Sequence, residues 1–155
     1  MTKPDCQVPV KIEEALERML KGSVPVISTD KLADAISSGS DWLLLDSREF
    51  AEFEISHLPN AKWVGHTDFS LSRVPDIPKE TNVAVYCSIG VRSENIAEKL
   101  VSCGFSNVRN LYGGIFAWAN EHKPLVVQNQ KPTLAVHGYD QNWAKLLNSS
   151  VIISR

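Results

Sequence analysis

Apolar residues recur along this chain in two rhythms, and the alternation between them sets the fold class. Residues 8–21 have helical spacing, with Ile12, Leu16, Met19 and Leu20 on one side and Glu13, Glu14, Glu17 and Arg18 elsewhere. Gly22 is placed to stop that helix. Val24–Ser28 predicts a short strand, and Thr29 or Asp30 can cap a helix through Ile36 that Gly39 closes. Trp42–Leu45 is a continuous apolar run of strand length, as a parallel strand covered on both faces requires. Glu49–Ile55 predicts a short helix, Pro59-Asn60 a turn and Ala61–Val64 another strand. Residues 65–80, with Pro75 and Pro78, predict an ordered loop holding one helical turn.

Val83–Tyr86 is the next β-branched run. A helix from Ser93 presents Ile96, Leu100 and Val101 inward, ends at Gly104, and lets Phe105 fold back on its end. Val108–Leu111 predicts a strand, and Gly113-Gly114 precedes a short helix through Asn120. Strands alternating with helices specify an α/β fold with a small, mainly parallel sheet. Ligands in such sheets sit at the carboxyl ends of strands. After residue 127 the pattern weakens. Lys131-Pro132 predicts a linker, Asn142–Leu147 a helix anchored by Trp143 and Leu146 or Leu147, and Val151-Ile152-Ile153 a strand or a tail. The expected division is an N-terminal helical extension (1–22), a catalytic domain (23–126) and a C-terminal extension (127–155). The apolar face of residues 12–20 must be buried on the domain or in a dimer. The terminal segments are expected to serve stability or partners rather than chemistry.

Composition narrows this further. The chain has 155 residues, enough for one domain with modest extensions, and its 43% hydrophobic content suits one sizeable core. Sixteen basic and 18 acidic residues leave a net charge of −2, which gives no nucleic-acid or membrane footprint. No apolar run reaches membrane-spanning length, and charges recurring through Lys21 interrupt any leader-like segment. Three cysteines, an odd number, fit a reducing compartment better than a disulfide framework, so a cytoplasmic protein is expected. No metal-binding spacing occurs, and no cofactor or metal is implied.

The chemistry concentrates at Val83-Ala84-Val85-Tyr86-Cys87-Ser88-Ile89-Gly90-Val91-Arg92-Ser93. An apolar strand ends in a cysteine, a short Gly-containing loop follows, and a helix begins. That order places one thiol below inward-turning backbone N–H groups and at the positive end of a helix, and both favour a thiolate. Gly90 permits the positive φ that such a loop needs. Ser88, Ile89, Gly90 and Val91 would form the cradle, Arg92 would add a donor fork for a small oxyanion, and Ser93 would cap the helix.

This loop resembles the active-site loop of rhodanese-like sulfurtransferases. Leu44-Leu45-Asp46-Ser47-Arg48-Glu49 with Glu52-Phe53, then His57-Leu58-Pro59-Asn60-Ala61, resembles that family's first signature. Asn110-Leu111-Tyr112-Gly113-Gly114-Ile115-Phe116-Ala117-Trp118 resembles its closing segment. The three blocks occur in the family's order and cover Val24 to Val126. Ser56 and Asn60 stand where the family often has glycines, and Ser47 where it often has valine; Asn tolerates the left-handed region, so the turn after Pro59 still forms. The resemblance implies a small sheet flanked by helices on both faces.

It also implies sulfur transfer. Cys87 would take the outer sulfur of a donor such as thiosulfate, or of a protein persulfide, and pass it to cyanide, a small thiol or an acceptor protein. Arg92 would attract an anionic donor. Two alternatives stand beside this reading. A phosphatase of the related fold would need a wider loop; the resemblance implies that six residues from Cys87 to Arg92 suit sulfur, whereas the phosphatase members use one more. A non-catalytic binding or regulatory module would be marked by loss of the cysteine, and Cys87 is present.

Other residues have plainer expectations. Asp46 and Arg48 lie at the same sheet edge as Cys87 and would shape the pocket's electrostatics or fix the strand-to-helix turn as an ion pair, the second being favoured. His57 is expected to be a hydrogen-bonded structural histidine, and His66, His122 and His137 to lie at the surface. Cys103 is expected to be structural beneath Phe105, Cys6 to be a chance exposed thiol, and Phe116 and Trp118 to be core anchors.

Overall fold

In the computed structural model the described residues are 10–149 and 151–154, so Cys6 and residues 8–9 of the expected first helix lie outside them. Helix α1 (Val10–Met19) precedes β1 (Val26–Ile27), α2 (Thr29–Ser37), β2 (Trp42–Asp46), α3 (Phe50–Ile55) and β3 (Lys62–Trp63). Then come β4 (Asn82–Tyr86), α4 (Val91–Ser102), β5 (Val108–Leu111) and α5 (Gly114–Asn120). The five strands form one sheet in the order β1-β5-β4-β2-β3, and every pairing in it is parallel. The residues between β3 and β4 carry the one expected helical turn, at Leu71–Arg73.

Strand β4 shows why the sheet needs cover on both sides. Its residues alternate, so Ala84 and Tyr86 join one core while Val83 and Val85 join the other. The first core is closed by α1 through Ile12 and Leu16, by α2 through Leu32, and by α5 through Ile115 and Phe116. The second is closed by α4 through Ile96, Ala97 and Leu100, with Phe105 beside them. The apolar face of α1 is therefore spent on this domain.

Several local expectations need correction. Met19 and Val101 are 42% and 47% exposed. Val101 follows Leu100, so it is rotated about 100° away from the buried stripe. The cap of α2 is Ser28, whose Oγ accepts from the Lys31 N–H at 3.1 Å, rather than Thr29 or Asp30. Helix α4 starts at Val91, with Gly90 as its cap, so Ser93 lies in the first turn and is buried. Cys103 is exposed at the end of α4, although Phe105 is buried as expected.

The C-terminal region departs most. After β6 (Leu125–Val127), Lys131-Pro132 is no linker, because β7 (Lys131–Thr133) pairs antiparallel with β6. Pro132 is tolerated there because the pair has only two strands and thus an open edge. Then β8 (Ala135–His137) pairs in parallel with β9 (Ile152–Ser154), and α6 (Gln141–Ala144), shorter than expected, lies between them. Val136, Leu147 and Val151 are buried in the first core. No helix among the described residues is long and apolar enough to cross a membrane.

Candidate functional site

Cys87 follows β4 directly, and its side chain is 1% exposed at the floor of a pocket. The pocket is lined by Cys87, Ser88, Ile89, Val91, Arg92, Tyr139 and Trp143 and has a volume of about 100 Å³. The Gly90 N–H donates to Cys87 Sγ at 3.2 Å. Gly90 reaches this position with φ +130° and ψ −2°, angles that side chains resist.

The other loop amides are oriented from behind. The carbonyls of Cys87 and Ser88 accept from the N–H groups of Ile115 and Phe116 at 3.0 and 2.9 Å. In a trans peptide the N–H points opposite to the C=O, so the N–H groups of Ser88 and Ile89 point away from α5. No α5 residue lines the pocket, which lies on the other side. The Gly90 carbonyl accepts from Asn110 Nδ2 at 2.9 Å and from the Glu94 N–H at 3.3 Å, which turns the Val91 N–H the same way. Gly114 makes this possible. A Cβ on it would lie 2.5 Å from both the Cys87 and Ser88 oxygens, and its φ is +58°.

Ser93 Oγ lies 3.4 Å from Cys87 Sγ and donates to Asn110 Oδ1 at 2.6 Å. A hydroxyl has one proton, so Ser93 can give it to Asn110 Oδ1 or to Cys87 Sγ, and a thiolate there would compete for it. The expected helix cap is thus a contact of the sulfur.

Arg92 does not point at the sulfur. Its Nη1 donates to Glu52 Oε2 at 2.8 Å, and its Nη2 donates to Glu52 Oε1 at 3.0 Å and to Ser88 Oγ at 2.8 Å. Burial pushes the Glu52 carboxyl up, but Arg92's hydrogen bonds and charge, with Arg48's charge, outweigh it and hold it below the usual carboxylate range. Burial likewise opposes the charge on Arg92, and the Glu52 hydrogen bond, with the charges of Cys87 and Glu52, more than restores it. The Arg92 Cζ also sits 4.6 Å from the centre of the Tyr139 ring.

Asp46 and Arg48 do not line the pocket. They form an ion pair, both side chains 0% exposed, with Arg48 Nη2 donating to Asp46 Oδ2 at 2.7 Å and to the Ser56 carbonyl at 2.7 Å. Burial opposes the Arg48 charge, but Asp46 holds its pKa above the ordinary value. The pair fixes the turn from β2 into α3. His57 stacks on Phe53, ring centres 3.9 Å apart, and its Nδ1 bonds the Phe53 carbonyl at 2.9 Å, which occupies it structurally. His66 and His137 are partly buried, and His122 is exposed. Among the described residues no group of His, Cys, Asp and Glu side chains converges as a metal requires.

Comparison with known proteins fits this geometry. Residues 28–121 match the rhodanese-like domain. The chain belongs to that family. Over 100 residues the rhodanese-like chain is 34% identical to a sulfurtransferase of Allochromatium vinosum, covering 64% of this chain and 92% of that one. It is also 34% identical over 102 residues to the adenylyltransferase and sulfurtransferase UBA4 of Candida albicans, covering 61% of this chain but 23% of that longer protein. Among solved structures, the BH2092 protein of Bacillus halodurans superposes with a TM-score of 0.62 at 22% identity, over 74% of this chain and 85% of that one, a likeness of fold.

The structure adds four residues to this rhodanese-like site that the sequence did not assign to it. Glu52 was visible within the first signature but not as the partner of Arg92, and Ser93 was read as a cap. Tyr139 and Trp143 come from the C-terminal extension, which corrects the expectation that both termini stand clear of the chemistry. For Trp143 the signal was an aromatic anchor in a short helix; for Tyr139 there was none.

Proposed function

We propose that this protein moves sulfane sulfur through a persulfide on Cys87. The observation that carries this is Cys87 Sγ at the pocket floor, receiving the Gly90 N–H while neighbouring amides turn to the same side. With thiosulfate as donor, the Cys87 thiolate attacks the outer sulfur. The S–S bond of the donor breaks, its electron pair leaves on sulfite, and a terminal sulfur with one negative charge remains on Cys87. A thiol or cyanide acceptor then attacks that terminal sulfur and restores the thiolate. The amides of the Ser88–Val91 loop and the start of α4 stabilise the charge on the outer sulfur.

The sulfurtransferase relatives support sulfur transfer as the reaction class, and the UBA4 relative is consistent with a protein as donor or acceptor. The reading divides the chain into a helical extension (1–22), a catalytic unit (23–126) and an extension (127–155), the last contributing to the pocket. It places the protein in the cytoplasm, on its odd cysteine count. Intact-mass measurement after incubation with thiosulfate tests the chemistry. Wild type and Cys103→Ser should each gain one sulfur atom, mapped to Cys87, and Cys87→Ser should gain none. Sulfur carried mainly on another cysteine would overturn the reading.

A further inference from the structure

The geometry points to a pocket that selects donors bearing their sulfur on an apolar organic group over the small dianion thiosulfate, with Tyr139 and Trp143 as the selecting wall. The inference rests on the sulfur-transfer reading of Cys87 and specifies its substrate class.

Charge is the first observation. Among the described residues Arg92 is the one charged residue lining the pocket, and two of its nitrogens are spent on Glu52. The Glu52 carboxylate lies 2.8 Å from Arg92 Nη1 and offsets its charge toward an entering dianion. Behind it, Asp46 and Arg48 also cancel each other. A thiosulfate ion entering here gives up hydration for backbone amides and the remaining N–H groups of an arginine already paired with Glu52.

Shape is the second observation. Ile89, Val91, Tyr139 and Trp143 give the pocket a largely apolar lining. The two rings meet edge to face, with centres 6.0 Å apart and planes at 88°. Such a wall gains free energy from an aryl or alkyl carrier by burial and ring contact.

The wall is also fixed in place. Gly138 leaves no room for a Cβ, which would lie 2.9 Å from both Ala144 Cβ and Ile153 Cγ2. Tyr139 is held at φ +67°, and its N–H donates to His137 Nδ1 at 2.9 Å. Asp140 Oδ1 accepts the Trp143 N–H at 2.9 Å. Asn120, at the end of α5, donates from Nδ2 to the Leu146 carbonyl at 3.0 Å and accepts the Asn148 N–H on Oδ1 at 2.7 Å. A tail without a role at the pocket has no need of so many anchors.

Thiosulfonates test this at constant charge. The Cys87 thiolate attacks the terminal sulfur, the S–S bond breaks, and the electron pair leaves on a sulfinate. One negative charge stays on the loaded cysteine, and no proton or oxidant enters. Benzenethiosulfonate and methanethiosulfonate differ chiefly in the apolar group. Loading rates of the full chain, followed by mass, should favour the benzene compound about tenfold over the methane compound, the scale of one good aromatic contact. Thiosulfate should be slower than the benzene compound. Tyr139→Ala and Trp143→Ala should each reduce the benzene-to-methane ratio several-fold, and Tyr139→Phe should keep it. Equal rates in the wild type, faster loading by thiosulfate, or a ratio that survives both alanine variants would overturn the selectivity. Failure of every donor to load Cys87 would instead overturn the sulfur-transfer reading beneath it.

Discussion

Gly114→Ala tests whether the cradle is held from behind by α5. Two costs add at this position. The residue sits at φ +58°, which costs a side chain about 1 kcal/mol. The new Cβ would also lie 2.5 Å from the Cys87 and Ser88 oxygens, which are backbone atoms and cannot swing aside. Relief requires the loop to retreat and weaken the bonds from Ile115 and Phe116, each worth about 1 kcal/mol. The total is about 3 kcal/mol. Gly39 is the control, since it has φ +86° with nothing within 4 Å of its virtual Cβ, so Gly39→Ala should cost only about 1 kcal/mol. For a chain of 155 residues these figures correspond to melting-temperature losses of about 6–12 °C and 2–4 °C. Urea melts of both variants measure the difference. Sulfur loading, measured where each variant is folded, should fall in Gly114→Ala and hold in Gly39→Ala. Equal destabilisation of the two, with normal loading in both, would refute the claim that α5 orients the loop.

Asp46→Ala leaves Arg48 charged and buried with the Ser56 carbonyl accepting from Nη2 and the Tyr86 ring 5.8 Å away, while Nη1 has no hydrogen-bond partner even in the intact protein. It should cost about 3–5 kcal/mol by denaturant melts, and a loss below about 1 kcal/mol would show that the pair is not a structural staple. Glu52 sets an acid limit. Because its carboxyl is held below the usual range in the folded state, its pair with Arg92 contributes stability fully above about pH 4–5, lost as pH falls through the depressed value. Melting temperature against pH should therefore show an acid decline that is shallower in Glu52→Gln, and parallel profiles would refute the assignment.

The layer order was legible because it rests on local signals. A run such as Trp42–Leu45 or Val83–Tyr86 has no way to bury itself except as a strand covered on both faces. The cysteine loop was legible for the same reason, since strand end, Gly90 and helix start are contiguous. What escaped depended on distant pairing. Glu52 and Arg92 are forty positions apart, and only the packing of α3 beside the loop brings them together. The strands of the C-terminal region are three residues each, too short for a period to show, and Pro132 reads as a break. Their placement follows what they cover, Val136 in β8 and Val151 just before β9 lying over the first core, and not their own pattern. Ser93 was misread because a serine near a predicted helix start has two uses. Gly90 took the cap and freed the hydroxyl for the sulfur.

These misses change the account of the site's electrostatics. A cysteine followed by an arginine suggests a thiolate held by a side-chain charge. Here that charge is balanced by Glu52, and the nearest donor to the sulfur is a backbone amide. The burden therefore falls on dipoles: the Gly90 N–H, the amides whose carbonyls α5 and Asn110 turn away, and the start of α4. Dipoles fixed by neighbouring elements hold charge without a full counter-ion. Arg92 then acts through position, bridging Glu52 on α3 to Ser88 in the loop and carrying the Tyr139 ring on its face. That bridge joins Tyr139 to the Cys87 loop, and both line the pocket.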